Sequence, residues 1–273
     1  MNIKHSKIIS YIVLIIGAII TIVPFLWMLS TSLKTPEEVY IIPPKLIPSS
    51  IMLKNYKEVL ERIPFTIYFM NSVVVSISVT VLTLITSILS AFAFSKLKFW
   101  GRDVIFSMLL ATMMVPGEVL VIPNYVTLSR LGWINTRLAL IIPWIVSVFA
   151  IFLLRQFFLG IPDELYYAAK VDGCSDFRYL WCIMVPLAKP ALITIAMLKM
   201  IYSWNEFLWP LIVTNTPEMR TLPVGLAVFT TEAGSHYHLL MAAATMIILP
   251  MIILYIVLQK YIIEGVATSG IKG

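Results

Sequence analysis

Charged residues are scarce in this chain of 273 residues: they make up 12% of it, whereas hydrophobic residues make up 60%. A soluble domain carries about a quarter charged residues. Here the apolar residues lie in long runs, several of which reach the ~20 residues that a transmembrane helix needs. The short alternating segments of a membrane β-barrel do not occur. The composition therefore excludes a soluble globular domain and predicts an all-α, polytopic membrane protein.

Residues that carry out chemistry are also few. The two cysteines, Cys174 and Cys182, have no metal-ligand neighbours, and the three histidines lack the spacing of a metal site. No catalytic triad or carboxylate pair can be assigned, and no G-x-x-x-x-G-K-[ST] loop for binding phosphates occurs. We therefore predict no enzyme, no metal site and no cofactor in this chain. The net charge of +6 is ascribed to basic residues flanking membrane helices, not to nucleic-acid binding.

Apolar runs predict six transmembrane helices. They lie at about 8–33, 66–95, 104–127, 138–158, 189–213 and 240–262. The first run is too long for the apolar core of a signal peptide, so we interpret it as a retained span. The third run is predicted to be broken by Pro116, Gly117 and Pro123.

Basic residues give the orientation of the chain in the cell membrane. Lys96, Lys98 and Arg102 crowd the short loop between the second and third runs. Lysine and arginine are enriched in cytoplasmic loops. With six spans, this places both termini and the segment 160–190 in the cytoplasm. We divide the chain into a first helix with an extracytoplasmic segment (1–65), a core of five membrane helices (66–262) and a cytoplasmic tail (263–273).

The segment 160–190, called the loop segment below, is rich in charge and lies between two apolar runs. Pro162 suits the first turn of a short helix, and Gly173 suits its end. Ser175 is predicted to cap a second helix. The first helix has one face at i, i+3, i+4 and i+7, made of Leu165, Ala168, Ala169 and Asp172. The second has an apolar stripe with the same spacing, made of Phe177, Leu180, Trp181 and Met184.

The loop segment resembles the "EAA" loop of ABC-importer permeases, in which two alanines are followed by Asp-Gly and later by an apolar-Pro step. The matching residues are Ala168, Ala169, Asp172, Gly173 and Pro186. Tyr167 stands where the family usually has glutamate, and Glu164 lies one turn earlier. Further stretches that resemble carbohydrate-importer permeases are PFLWMLSTSLKTPEEVY, VPGEVLVIPNY, LGWINTRLALIIP, WNEFLWPLI and EGVATSGIKG. The chain is most similar in pattern to the smaller permease of maltose-type importers.

The resemblance implies a type I ABC importer permease fold and a sugar or sugar-like solute, moved by alternating access. It implies four kinds of partner: membrane lipid, a second permease, two cytoplasmic ATPase subunits that bind ATP and Mg, and an extracytoplasmic sugar-binding protein. It also implies that the loop segment and the C-terminal tail contact the ATPase. The residues predicted for ATPase coupling are Glu164, Leu165, Tyr167, Ala168, Ala169, Asp172, Gly173, Gly265 and Gly273.

Ionisable residues inside a predicted span are costly and point to function. Lys199 and Glu206 share one face of the fifth run, and Trp204, Asn205 and Glu206 combine an aromatic ring with an amide and a carboxylate. We predict that these four residues line a sugar path. The alternative is that the tryptophan anchors the helix at the membrane surface and the polar groups bond neighbouring helices.

Other polar residues in the runs are interpreted as structural. Glu118 is expected at the membrane surface, after the kink at Pro116 and Gly117. Hydroxyl residues recur every three or four positions in the second run and are expected to let helices pack closely. These are Ser72, Ser76, Thr80, Thr83, Ser87 and Ser90. Two alternatives remain: a secondary transporter driven by an ion gradient, and a membrane enzyme.

Overall fold

The computed structural model describes residues 3–231 and 234–270, which form fifteen α-helices and one short hairpin. The first eight helices are α1 (Ile3–Ser32), α2 (Pro36–Val39), α3 (Lys54–Arg62), α4 (Phe65–Lys96), α5 (Arg102–Thr112), α6 (Val121–Arg130), α7 (Arg137–Ile141) and α8 (Val148–Leu159). The others are α9 (Asp163–Val171), α10 (Asp176–Tyr179), α11 (Val185–Leu187), α12 (Lys189–Asn205), α13 (Leu208–Val213), α14 (Leu222–Gly225) and α15 (Tyr237–Gly270). Strands β1 (Thr230–Thr231) and β2 (Gly234–Ser235) pair antiparallel. The predicted all-α fold is confirmed, and the hairpin is a minor addition.

Six spans can be counted in the described part of the chain. Three single helices are long and apolar enough to cross a membrane: α1, α4 and α15. Three bent pairs make up the rest, each counted as one span: Arg102–Thr112 with Gly117–Arg130 (92°), Arg137–Trp144 with Val148–Leu159 (43°), and Asp176–Leu187 with Lys189–Asn205 (80°). The predicted number is therefore reached only when the bends are allowed for.

The bend in the third span comes from one of its two prolines. The backbone at Pro116 is extended (φ −59°, ψ 132°), and a new helical turn begins at Gly117. Pro123 was predicted to break the span as well, and this is wrong. Pro123 is the third residue of α6. Backbone N–H groups in the first turn of a helix have no acceptor within the helix, so a proline there costs no hydrogen bond. Glu118 is exposed, and its place at the membrane surface stays a prediction.

The chain forms two compact units, and the first comprises residues 1–66 and 224–250. None of the residues in the most apolar 18-residue stretch of α1 is buried, which suits a helix that faces lipid. The segment after α1 is held by hydrogen bonds. Asn55 Nδ2 donates to the carbonyls of Ser32 and Lys34, at 2.9 Å each. Glu38 accepts from the backbone N–H and the hydroxyl of Ser49, at 2.8 and 2.9 Å. These bonds order a proline-rich stretch that has few apolar contacts of its own.

The second unit comprises residues 67–223 and 251–273 and holds the loop segment. Its largest core joins α4, α8 and the loop segment, with Ala91, Leu154 and Tyr179 all fully buried. Of the six hydroxyl residues predicted to pack closely, five are buried and Ser90 is half-buried. Three of the six bond other elements. Ser72 Oγ accepts from the Leu222 N–H at 2.8 Å, Thr80 Oγ1 donates to Met200 Sδ at 3.7 Å, and Thr83 Oγ1 donates to the Trp144 carbonyl at 3.2 Å.

Candidate functional site

The loop segment begins with α9, whose ends are set by local sequence. Pro162 is the N-cap residue, one position before the predicted first turn, and Asp163 and Glu164 follow where the helix dipole favours negative charge. At the other end Gly173 has φ +74°. Its N–H bonds the Lys170 carbonyl at 3.0 Å, and the N–H of Cys174 bonds the Ala169 carbonyl at 2.8 Å. This pair of bonds is the Schellman arrangement, so the predicted glycine stop is confirmed.

The helix α10 that follows is tied back to α9. Ser175 Oγ accepts from the Arg178 N–H at 3.3 Å, which confirms the predicted cap. Asp176 accepts from Tyr166 Oη at 2.7 Å and pairs with Lys170 Nζ at 2.6 Å. The hydrogen bond to Asp176 raises the pKa of Lys170. Burial raises the pKa of Tyr166, and its bond to Asp176 adds to the shift. Both groups keep their protons at neutral pH, so the elbow between the two helices is held by a fixed charge pair.

The two alanines of the motif have different surroundings. Ala168 is exposed, whereas Ala169 is 6% exposed and lies in the core with α4 and α8. The expectation that Ala169 shares an open face with Leu165 and Ala168 is therefore wrong, because the packing of α9 turns that side inward. The other predicted coupling residues of α9 and its turn are exposed: Glu164, Leu165, Tyr167, Asp172 and Gly173.

The stripe predicted for the second helix is only partly buried. Leu180 and Met184 lie in the core, but Phe177 is 66% exposed. Tyr179, which the stripe omits, is fully buried and stands 5.1 Å from the ring of Tyr166. Residues 180–184 form a wider π-helical turn, and Tyr179 and Met184, five positions apart, both lie in the core.

The loop segment therefore presents an exposed face with small and apolar side chains. Ala168 lies on it, and Leu165, Val171 and Phe177 are 44%, 88% and 66% exposed. A short residue flanked by larger apolar ones allows another backbone to approach closely. Of the two glycines predicted for the tail, Gly265 lies within α15 and Gly273 lies outside the described residues.

A second candidate region lies where the fifth span breaks. The sequence predicts a single run at 189–213, but α12 ends at Asn205 and α13 begins at Leu208. Pro210 explains the break, because in a continuous helix its ring would clash with the carbonyl of Glu206 four residues earlier. Glu206 is instead extended (φ −64°, ψ 122°), and its Oε1 accepts from the Trp209 N–H at 3.1 Å. The carboxylate thus caps the start of α13.

A cleft lies at this break. Lys199, Tyr202, Ser203 and Glu206 line it from α12 and the break, at i, i+3, i+4 and i+7. The rest of the lining comes from other elements: Val75, Val79, Leu140, Trp144, Trp209, Pro210 and Thr221. The ring of Trp144 lies 6.5 Å from that of Tyr202 and 5.9 Å from that of Trp209. Lys199 Nζ is 5.6 Å from the Tyr202 ring centroid. The cleft thus combines aromatic rings, a hydroxyl and one charge of each sign.

The structure brings two of the four predicted path residues to the cleft. Trp204 is 2% exposed and its ring lies 5.9 Å from that of Phe69, away from the cleft lining. Asn205 is exposed, and its Nδ2 donates to the Ile201 carbonyl at 2.9 Å. The prediction missed Tyr202 and Ser203, although helical spacing from Lys199 points to both. Trp144 and Thr221 come from distant elements, so no local signal marks them.

Two polar groups on the cleft are notable within the described part of the chain. Trp144 Nε1 and Thr221 Oγ1 are buried and have no hydrogen-bond partner there. Buried polar groups are almost always paired, so these two are available to a polar ligand or water. The described residues contain no group of three His, Cys, Asp or Glu side chains that would hold a metal ion.

Comparisons with known proteins identify the family and the fold. Residues 83–267 match the model of the family described as "binding-protein-dependent transport system inner membrane component". The chain is 38% identical over 280 residues to the arabinooligosaccharides transport system permease protein AraQ of Halalkalibacterium halodurans, covering 100% of both chains. It is 34% identical to the sn-glycerol-3-phosphate transport system permease protein UgpE of Brucella suis, covering 97% of each.

A solved structure shares the fold. It is a crystal structure of a bacterial ABC transporter involved in the import of the acidic polysaccharide alginate, with a TM-score of 0.83 and 28% identity. The match covers 94% of this chain and 96% of that one. The predicted permease fold and the predicted family are confirmed, and nothing supports the ion-gradient alternative. The chain belongs to the binding-protein-dependent transport system inner-membrane components and is a membrane-embedded permease subunit of an ABC importer.

Proposed function

We propose that this permease carries a neutral oligosaccharide or a similar sugar-like solute, and that the cleft at Glu206 lies on its path. The observation that carries the proposal is the lining of the cleft. Sugars bind by stacking on aromatic rings and by hydrogen bonds, and the cleft supplies Tyr202 and Trp144 next to Ser203 and Glu206. The names of relatives, which include an arabinooligosaccharide permease, support the same class of solute.

The charges of the cleft separate this proposal from a rival. A relative named for sn-glycerol-3-phosphate transport raises the possibility of an anionic solute, and Lys199 favours it. Glu206 lines the same cleft, however, so that one positive and one negative charge leave no net charge there. A doubly charged phosphate would be repelled by Glu206 at short range. A neutral sugar accepts from Lys199 and donates to Glu206, which suits both groups.

The energy for transport is proposed to come from a separate ATPase. The sequence holds no phosphate-binding loop, so ATP and Mg are assigned to two partner subunits. The exposed face of α9, with Leu165, Ala168 and Val171, is the proposed docking surface. Gly173 ends α9 with a tight turn, which leaves the exposed face of α9 accessible to a partner. Gly265 and Gly273 in the tail remain a second predicted contact.

The remaining partners and the orientation are also proposed. A second permease would complete the pathway, and an extracytoplasmic binding protein would deliver the solute. Both termini and the loop segment would be cytoplasmic, since Lys96, Lys98 and Arg102 lie in the loop on the same side. The division into 1–65, 66–262 and 263–273 follows from this orientation.

Uptake by proteoliposomes tests the proposal. The permease would be purified with its partner permease, ATPases and binding protein, and labelled arabinotriose would be the probe. We expect uptake that requires ATP inside the vesicle and is reduced by excess unlabelled arabinotriose but not by glycerol-3-phosphate. Competition by glycerol-3-phosphate alone would overturn the choice of a neutral sugar. Uptake driven by an ion gradient without ATP would overturn the ATPase assignment.

A further inference from the structure

Lys96 holds an unusual position at the end of α4. Its side chain is only 4% exposed, although the next loop residues, from Lys98 to Trp100, are exposed. Lysine is rarely buried unless its ammonium group is paired. Here Nζ donates to the Ile161 carbonyl at 2.8 Å and to Asp163 Oδ1 at 2.5 Å. Ile161 is 7% exposed in the core, and Asp163 is the first residue of α9. One ammonium group therefore ties the end of α4 to the start of α9.

The helix α4 also reaches the cleft. Val75 and Val79 line the cleft, and Lys96 lies 17 residues beyond Val79, which at 1.5 Å per residue is about 26 Å along the axis. No glycine or proline interrupts α4 from Phe65 to Lys96, so the helix has no obvious hinge. Near its end, Phe92 stands 6.5 Å from the buried ring of Tyr179 in the loop segment. The helix is thus one continuous rod between the two candidate regions.

We propose that Lys96 is a positioning residue that transmits movement of α9 to α4, and through α4 to the cleft. This proposal rests on the proposed docking of an ATPase on α9. Apolar contacts such as Phe92 with Tyr179 hold α4 and the loop segment together, but they are not directional and allow one to slide along the other. Two charge-assisted bonds from one ammonium group to a backbone carbonyl and a side chain fix both distance and direction. Without them, α9 would move with the ATPase while α4 lags behind.

The test compares Lys96→Met with Lys98→Met in the assembled transporter. Both variants remove one charge from the same loop, but Lys98 is exposed. The readout is arabinotriose transported per ATP hydrolysed, with binding-protein-stimulated ATPase activity measured separately. We expect Lys96→Met to lower the ratio about fivefold, within the range found for residues along a coupling route, while ATPase activity changes less than about twofold. Lys98→Met should leave both unchanged. Lys96→Arg, which keeps the charge and the donors, should restore most of the ratio.

Several results would overturn the proposal. A wild-type ratio in Lys96→Met would show that no movement passes through this bond. Parallel loss of ratio in Lys96→Met and Lys98→Met would show a general charge effect. Should Lys96→Met fail to assemble, Asp163→Asn decides: its side chain is 66% exposed, so it should assemble, and an unchanged ratio in it overturns the proposal. If the ATPase does not bind α9 even in the unaltered transporter, detected by cross-linking from Leu165, the proposed function itself has failed.

Discussion

In the loop segment the residues that fix the backbone are neighbours in sequence, whereas the cleft draws its lining from separate elements. Pro162, Gly173 and Ser175 set the ends of α9 and α10 through bonds to residues within five positions. The cleft brings α4, α12 and α13 together with Trp144 and Thr221. The loop segment is therefore a unit whose backbone is determined locally, and it carries the proposed docking surface. The cleft is formed by tertiary packing, and its shape depends on the relative positions of the helices that line it.

The largest effect is expected at the elbow of the loop segment, for Gly173→Val. A β-branched residue at φ +74° carries a backbone strain of about 1–2 kcal/mol, although a Cβ would meet no atom within 4 Å. We expect the elbow to rearrange and sugar uptake to fall about tenfold or more, which corresponds to roughly 1.4 kcal/mol in the coupled step. ATPase activity and membrane insertion should persist. Gly117→Ala, at an open glycine outside the elbow, is the control, and normal uptake by Gly173→Val would refute the docking role.

The two alanines of the motif should respond in opposite ways to the same change. Ala168→Leu adds bulk on the exposed face, so the fold should hold while ATPase binding weakens about tenfold, or 1.4 kcal/mol. Ala169→Leu adds bulk inside the core and should destabilise the chain by about 1–3 kcal/mol. Thermal unfolding in detergent and co-purification of the ATPase separate the two effects. Equal loss of stability in both variants would contradict the assignment of faces.

A comparison of Tyr202→Ala with Trp204→Ala tests which aromatic residue of α12 contacts the sugar. Tyr202 is 55% exposed and lines the cleft, so Tyr202→Ala should lower arabinotriose uptake about fivefold with little change in stability, as expected for the loss of one stacking contact. Trp204 is buried, so Trp204→Ala should destabilise the chain by about 3–5 kcal/mol. Uptake per folded transporter and the melting temperature are the two measurements. A stable Trp204→Ala variant with poor uptake would return Trp204 to the sugar path.

The smallest effect is expected from the charge of the cleft. Glu206→Gln keeps an oxygen that can accept from the Trp209 N–H but removes the negative charge facing Lys199. Uptake of arabinotriose should fall about twofold to threefold, the cost of one weakened hydrogen bond. Competition by glycerol-3-phosphate should strengthen, because the cleft becomes positive. Lys199→Met is the matched opposite change, and stronger phosphate competition in that variant would contradict the role given to the two charges.

The sequence was a good guide where structure is local. The glycine stop and the serine cap follow from backbone rules, and both are confirmed at Gly173 and Ser175. The long spans α1, α4 and α15 follow from runs of apolar residues. The break at Glu206 was missed, although Pro210 carries the signal four residues later. The mistake at Pro123 has the same origin, since the effect of a proline depends on its position within a helix.

The parts that depend on packing could not be predicted. Nothing in the sequence separates Ala168 from Ala169, because only the contact of α9 with α4 and α8 decides which one is buried. Lys96 looks like any basic residue at the end of a membrane helix until its bonds to Ile161 and Asp163 are seen. Trp144 is placed at the cleft by the bend between α7 and α8, which follows Pro143 and is absent from the single run predicted at 138–158.

Site-specific photo-cross-linking from α9 is the most direct measurement. A photoreactive phenylalanine analogue would replace Leu165 in the assembled transporter, and the same analogue at Val119, which is 64% exposed in another part of the chain, would be the control. We predict an adduct between position 165 and the ATPase subunit that strengthens when ATP is bound, and none from position 119. The absence of an ATPase adduct from position 165, or equal amounts of adduct from positions 165 and 119, would contradict the proposal that the ATPase docks on α9.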